Sequence, residues 1–496
     1  MDTLQQFAQT FIQWSALTLL FVIGLMILGI GIIYLVDRTQ TTHTIRRNYP
    51  VVGRFRYWFE HLGTFFRQYF FAMDREEQPF NRAERSWVYR AAKKVDTTIP
   101  FGSTRQLNMP GEPIFLHSPF PVLTEQAADI TPVTMGADHC THPYTAQSLI
   151  HISGMSYGAI SKPAVLALSK GASMAGIWLN TGEGGLSPHH LAGECDLVFQ
   201  IGTGKHGVSD TAGLLSADKL RTLAAHPQVR MFEIKLSQGA KPGKGGILPG
   251  DKVTAEIARI RGSVAGQDSI SPNAHRDIHS VADLQQMIQH IRQVTGKPVG
   301  IKLAVGQLHF FTALFRAIQA QGLDTAPDFI TLDSADGGTG AAPQPLLDYV
   351  GMPLSESLPL VVNLLHEYDL RKRIKVIASG KLMIPGKVAW AIAAGADFVV
   401  SARGFMFALG CIQALQCNKN TCPTGITTHN LALQRGLVPQ DKATRVANFA
   451  REINQGVSLI AHACGVTQPR ALAREHVRII QQHGKSIPLS ELHPLS

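Results

Sequence analysis

Positive charge is missing from the start of this chain: no Lys or Arg precedes Arg38, and no charged residue lies between Asp2 and Asp37. A cleavable signal peptide needs basic residues ahead of its apolar run and a small-residue cleavage site behind it, and neither is here, which favours an uncleaved anchor. Cysteine is scarce, six in 496 residues, too few for a disulfide scaffold. No two of the six stand as C-x2-C, which removes zinc ribbons and the ferredoxin repeats. Long basic runs are absent as well. The formal charge of +10 clusters only at Arg46-Arg47, Lys93-Lys94 and Arg371 to Arg373. That pattern excludes nucleic acid as a partner and suits a solvated surface with some attraction to anionic lipid heads.

What the first forty residues do contain is one apolar run, Ala16 to Val36. At about 1.5 Å per residue, a helix of this length crosses a hydrocarbon core about 30 Å thick. The arginines that follow it, Arg38, Arg46, Arg47, Arg54 and Arg56, put everything after residue 37 in the cytoplasm. The expectation is a single-pass inner-membrane protein with a cytoplasmic body of roughly 400 residues beyond the juxtamembrane segment.

Three of the six cysteines, Cys411, Cys417 and Cys422, crowd into GCIQALQCNKNTCPTG. In a reducing compartment, spaced thiols are ligands more often than disulfides. Three ligands at C-x5-C-x4-C suit a three-iron cluster with an open corner, which moves single electrons. A zinc site completed by Cys464 or a histidine, or three packed thiols, are the competing readings. Pro423 and Gly425 mark a turn that folds the loop back.

From residue 149 the chain alternates apolar runs with amphipathic stretches. LIHISGM, GIWLN, LVFQIG, MFEIKLS, VGIKLAV, FITLDS, KVIAS and FVVSA are candidate strands, each apolar enough for burial on both faces. Helical patterns such as SKPAVLALSKGASMAG, VADLQQMIQHIRQVTG and LHFFTALFRAIQAQG separate them. Eight βα units over about 260 residues give a (β/α)8 TIM-type barrel. A doubly wound open sheet is the rival, but the Gly-rich motifs fall just after strands, where barrels build their sites. The expected domains are an anchor over 1–37, an irregular extension over 38–148 without long periodic elements, a barrel over 149–430 carrying the cysteine loop 411–422, and a helical extension over 431–496.

Four sets of turns carry chemistry. Asn180 to Gly185 sets Glu183 among glycines, which lets backbone approach a flat ligand. Lys235, Gln238, Lys241 and Arg261 supply positive charge and an amide at one mouth. Asp336, Gly338 and Thr339 lie in a run of consecutive N–H donors, and Gly380, Ala402 and Arg403 end strands seven and eight, where barrels hold phosphate. Together they describe a phosphate-bearing cofactor with an anionic substrate above it. The run Gly202 to Gly207 matches G-x-G-x-x-G, but Asp210 and Gly213 interrupt the helix it should open and no acidic residue follows about twenty positions on. It reads as a loop that lets backbone approach a cofactor.

MSYGAIS, LNTGEGG, QGAKPGKGG, LPGDKV, SPNAHRDIHS, DGGTGA and CNKNTCPTG, from about Ser153 to Thr428, resemble the flavin-binding synthase domain of glutamate synthases. HTIRRNYPVVGRFRY and PFNRAERSWVYRAAKK resemble its membrane-anchored, single-chain members. The resemblance implies a (β/α)8 barrel, FMN, and a 3Fe-4S cluster on Cys411, Cys417 and Cys422. It also implies reductive conversion of 2-oxoglutarate and ammonia, through 2-iminoglutarate, to glutamate. By the same resemblance Met155, Ser156, Asn180, Lys235, Lys302, Gly338 and Gly380 line the flavin, and Glu183, Gln238, Lys241 and Arg261 face the substrate.

The departures point elsewhere. The family pattern GGQLPG reads GGILPG here, so Ile247 replaces an amide, and losing a hydrogen bond to a charged ligand costs about 1.5–3 kcal/mol. Arg276 replaces a histidine and Lys381 follows Gly380 where the pattern has a second glycine. No N-terminal cysteine nucleophile, amidotransferase or NADPH domain is expected, so ammonia is free and electrons come from a separate ferredoxin or reductase. Two alternatives follow: the same machinery acting on another oxo acid, imine or amino acid, and a membrane-tethered, non-catalytic electron carrier or assembly factor.

Overall fold

The computed structural model describes residues 2–495 in two compact units, one ending at Arg82 and the other beginning at Ala83. In the first, helix α1 runs over Asp2–Thr39. Within its stretch Gln5–Thr39, an 18-residue window has a mean hydropathy of 2.9 and no buried residue, and the stretch is long and apolar enough to cross a membrane. Two further helices follow, α2 over Thr44–Asn48 and α3 over Gly53–Phe66, the latter running into a wide turn at Arg67–Phe71. The expected absence of long periodic elements over 38–148 therefore needs correction. Here the period is written in aromatic rings and arginines, which an aliphatic pattern does not register.

The second unit is built around eight parallel strands: β1 Ile150–Ile152, β2 Leu179–Asn180, β3 Leu197–Ile201, β4 Val229–Lys235, β5 Val299–Ala304, β6 Phe329–Asp333, β7 Lys375–Ser379 and β8 Phe398–Ser401. Each pairs with the next, and β8 returns to β1 through Val399 opposite Ile150 and Ser401 opposite Ile152, closing the barrel. Seven lie within the apolar runs singled out above, and β4 begins two residues ahead of its run, at Val229. Their residues are almost all buried because side chains on one face fill the barrel while those on the other pack under helices.

The first barrel helix shows how local sequence sets the boundaries. In α4, Lys162–Ala175, the Ser161 hydroxyl accepts from the Ala164 N–H, Pro163 sits in the first turn, and Gly176 ends the helix at φ 64°. The long helix α5, Pro439–Ala463, packs directly on it: a Cβ at Gly171 would stand 2.5 Å from the Val446 Cβ. The C-terminal segment thus supplies a helix of the barrel's outer ring. A hairpin, Val133–Met135 with Tyr144–Ala146, joins Trp178, Met231, Phe329 and Phe398 in one core at the strand starts. It closes the bottom of the barrel and leaves the opposite mouth for chemistry.

Candidate active site

Strand β2 ends at Asn180, and the turn after it lifts Glu183 over the mouth. Gly182 takes φ 67°, and a Cβ there would come within 2.4 Å of the Ser156 nitrogen. The Glu183 carboxylate occupies a slot between two bare backbones: a Cβ at Gly202 would lie 2.6 Å from Oε2, and one at Gly246 2.6 Å from Oε1. Lys235 Nζ, from the end of β4, is 3.1 Å from Glu183 Oε1 and also donates to Gln238 Oε1. Burial alone would raise the Glu183 carboxyl, but the charges of Lys235, Lys241 and Arg261 outweigh it and hold the group down at about 2. It is ionised at any physiological pH.

The two other cations are less well served. Lys241 forms no ion pair among the described residues, and burial together with the Lys235 charge pulls its ammonium below the ordinary lysine range. Arg261 donates to Ser156 Oγ at 3.2 Å and to the Tyr157 carbonyl at 3.4 Å, but its buried Nε has no partner among the described residues. Burial lowers its guanidinium to about 10, against the pull of Glu183. These groups share a cavity with Met155, Ser156, Gly338, Thr339, Ala402 and Arg403.

Some expected site residues fall elsewhere. Asn180 and Lys302 sit inside the barrel beneath the cavity, because alternate strand side chains point inward. Lys302 Nζ lies 3.5 Å from Asp333 Oδ2, and although burial lowers it, Asp333 and Glu233 raise it above the ordinary lysine value. Asp336 and Gly380 line a neighbouring cavity, where Lys381 pairs with Asp336 at 3.0 Å.

Of the cysteines, Cys417 lines the main cavity, with Arg403 Nη1 3.7 Å from its Sγ. Burial, reinforced by the proximity of Cys417 and Cys422, pushes the Cys411 thiol up to about 11. Burial acts on Cys422 too, but hydrogen bonds with Thr424 and Thr427 outweigh it and bring that thiol below its ordinary value. The thiols are near enough to feel one another's charge. Among the described residues, though, no group of three His, Cys, Asp or Glu side chains is arranged to hold a metal ion.

Two groups that pattern reasoning missed connect these parts. Glu233, buried in β4, accepts from Asn180 Nδ2 at 2.8 Å, Gln200 Nε2 at 2.6 Å and Thr331 Oγ1 at 2.7 Å. Asn180 Oδ1 in turn accepts the Gly182 N–H at 3.0 Å, so Glu233 braces the turn that carries Glu183. Lys252 is 2% exposed and its Nζ donates to the carbonyls of Ala159 at 2.8 Å and Cys417 at 3.2 Å, tying the cysteine loop to the loop after β1. A charged residue inside an apolar strand was Glu233's only signal, and the lysine of LPGDKV, a motif quoted above for its family resemblance, was the signal of Lys252. The loop Gly202 to Gly207 serves this site as well, since Gly202 walls Glu183 and His206 Nδ1 lies 3.1 Å from the Arg261 carbonyl.

A family model described as the conserved region in glutamate synthase matches residues 121–467. This chain belongs to the glutamate synthase family. A glutamate synthase large subunit-like protein, YerD, of Bacillus subtilis is 39% identical over 95% of this chain and 97% of its own. An archaeal-type glutamate synthase [NADPH] of Thermotoga maritima is 35% identical, and an archaeal glutamate synthase [NADPH] of Methanocaldococcus jannaschii 37%. This member of the family covers 65% and 61% of the length of those two, with 70% and 66% of its own chain matched. Among solved structures, a mandelate oxidase is 14% identical with 80% of this chain and 90% of that one covered, at a TM-score of 0.45. As a glutamate synthase homologue the chain is an oxidoreductase.

Proposed function

We propose that this protein is a membrane-anchored glutamate synthase that uses FMN and a 3Fe-4S cluster to make glutamate from 2-oxoglutarate and free ammonia, with electrons from a separate ferredoxin or reductase. One observation carries the reading: a single cavity holds an ionised carboxylate beside two cations, Lys241 without an ion pair among the described residues and Arg261 with an unpartnered Nε. Cations drawn away from water with donors left over favour an anionic ligand, and two of them suit a dicarboxylate through charge-assisted hydrogen bonds.

The lining fits FMN. The backbone of Gly154, Gly182 and Gly338 borders the cavity beside the polar side chains of Ser156, Lys235, Thr339 and Arg403, and a Cβ at Gly338 would stand 2.8 Å from Arg403 Nε, so glycine there lets the guanidinium close on the loop. Met155, Ser156 and Lys235 would hold the ring, and Gly338, Thr339, Ala402 and Arg403 the phosphate. The donor chemistry of Cys411, Cys417 and Cys422 fits an iron-sulfur cluster, which they would hold once drawn together. Bound FMN would supply the hydride and the cluster single-electron transfer.

The chain's own residues do the rest. Lys241 and Arg261 orient the oxo acid by its two carboxylates. Glu183, with its carboxyl near 2, is too weak a base to take protons in the free enzyme, so it serves as the anion that holds ammonium. A second reading, the same machinery acting on a different oxo acid, imine or amino acid, is favoured by Ile247, which lines the cavity at 46% exposure and offers no amide.

The purified protein should contain one FMN and three irons per chain, measured by visible absorbance and iron analysis, and Cys417→Ser should lose the iron while keeping most of the flavin. Zinc in place of iron, without flavin, would reject the cofactor assignment. For the anchor, a reporter fused after Ser496 should be cytoplasmic, and deleting residues 1–36 should release the body from membranes. Periplasmic phosphatase activity of such a fusion would reverse the orientation.

A further inference from the structure

We infer that residues 53–71 form a second membrane contact, an interfacial helix lying in the headgroup layer of an anionic bilayer. The inference rests on the membrane anchor proposed above and adds a surface that the apolar span does not contain. Along α3 and the turn after it, Phe55, Phe59, Leu62, Phe66 and Phe70 recur at steps of three or four and so share one side of the helix. Phe55, Trp58, Phe59 and Phe70 are 54%, 54%, 61% and 73% exposed. The rings gather with one another, Trp58 and Phe59 with centroids 5.0 Å apart and Phe66 and Phe70 at 5.4 Å. A contiguous aromatic stripe of this kind marks a binding surface.

Charge selects the occupant. Residues 38–73 contain six arginines and a single acidic residue, Glu60. Aromatic rings at the level of the headgroups, flanked by arginine, match an anionic phospholipid surface, to which each basic residue near it adds attraction. Position argues the same way. Asp37, 1% exposed near the end of α1, binds Arg54 at 2.9 Å and accepts the Val51 N–H at 3.0 Å. A Cβ at Gly53 would meet the Ile45 carbonyl oxygen at 2.8 Å, so the start of α3 is held tightly against α2. The aromatic helix is therefore fastened to the last turns of the membrane-length helix, at the level where lipid headgroups begin.

The full chain would be reconstituted into vesicles of phosphatidylcholine with or without phosphatidylglycerol, the acyl chains brominated. The Trp58 signal is the difference between this chain and Trp58→Phe. In anionic vesicles that signal should fall by roughly half or more, and Arg46→Gln with Arg47→Gln and Arg56→Gln should reduce the quenching. Hydrogen exchange over residues 53–71 should slow on going from neutral to anionic vesicles. A chain that inserts yet leaves Trp58 unquenched overturns this inference alone, as does a Trp58 shielded from acrylamide but not quenched by lipid, which marks a protein neighbour. A chain that does not insert overturns the anchor along with it.

Discussion

Replacing Lys241 or Arg261 with Met should weaken 2-oxoglutarate binding by about 1.5–3 kcal/mol, roughly ten- to a hundredfold in Kd, with flavin content unchanged. Neither side chain forms an ion pair among the described residues, so most of the loss falls on the ligand. Ile247→Gln separates the two substrate readings at the same wall. In a weakened glutamate synthase, the added amide should improve 2-oxoglutarate use; in a specialist for another substrate, it should reduce the native activity. Chemically reduced enzyme mixed with 2-oxoglutarate and ammonium, with flavin reoxidation and glutamate both followed, decides between them. If neither form makes glutamate, the first reading is wrong.

Glu183→Gln should lower turnover by about 10²–10³ while 2-oxoglutarate binding is nearly kept. It should also change the pH dependence in a specific direction. The folded carboxyl, near 2, lies below its ordinary value of 4.5, so Glu183 contributes stability that is fully present above 4.5 and lost as pH falls toward 2. The contribution is at most about 3 kcal/mol. Thermal unfolding of wild type and Glu183→Gln should therefore differ at pH 7 and converge in acid. Ligand binding reverses the local balance. A dianion that neutralises Lys241 and Arg261 removes charges that hold Glu183 down, so its carboxyl rises toward its ordinary value of 4.5 and, in acid between those two values, 2-oxoglutarate binding takes up protons at Glu183. Calorimetry in that acid range, in buffers of different ionisation enthalpy, should show less uptake in Glu183→Gln than in the wild type.

The barrel was legible because its strands are short apolar runs ended by glycine-rich turns, a pattern set by burial on both faces. The mouth was legible for a related reason, since Glu183, Lys241 and Arg261 stand in loops directly after strands or in the helix beyond. What escaped was depth. Asn180 and Lys302 belong to strands, and whether a strand residue reaches the cavity or stays below it depends on barrel tilt, which no local pattern encodes. Glu233 escaped because a carboxylate in a core strand is stable only through Asn180, Gln200 and Thr331, partners from three other strands or strand ends. Helix α3 escaped because its apolar side is exposed, the reverse of the pattern that marks a packed helix.

The slot around Glu183 divides the cavity into a wall that cannot change and one that can. A side chain at position 202 would meet the Glu183 Cβ as well as its carboxylate, and one at 246 would meet the carboxylate, so variants at either shift the anion proposed to hold ammonium. Position 247, one residue further, lines the same cavity and is 46% exposed, so its chemistry can change without entering the slot. On the proposed function, a lineage of such enzymes could therefore acquire new oxo acids through residue 247 while the slot stayed fixed, and a designed library should begin there.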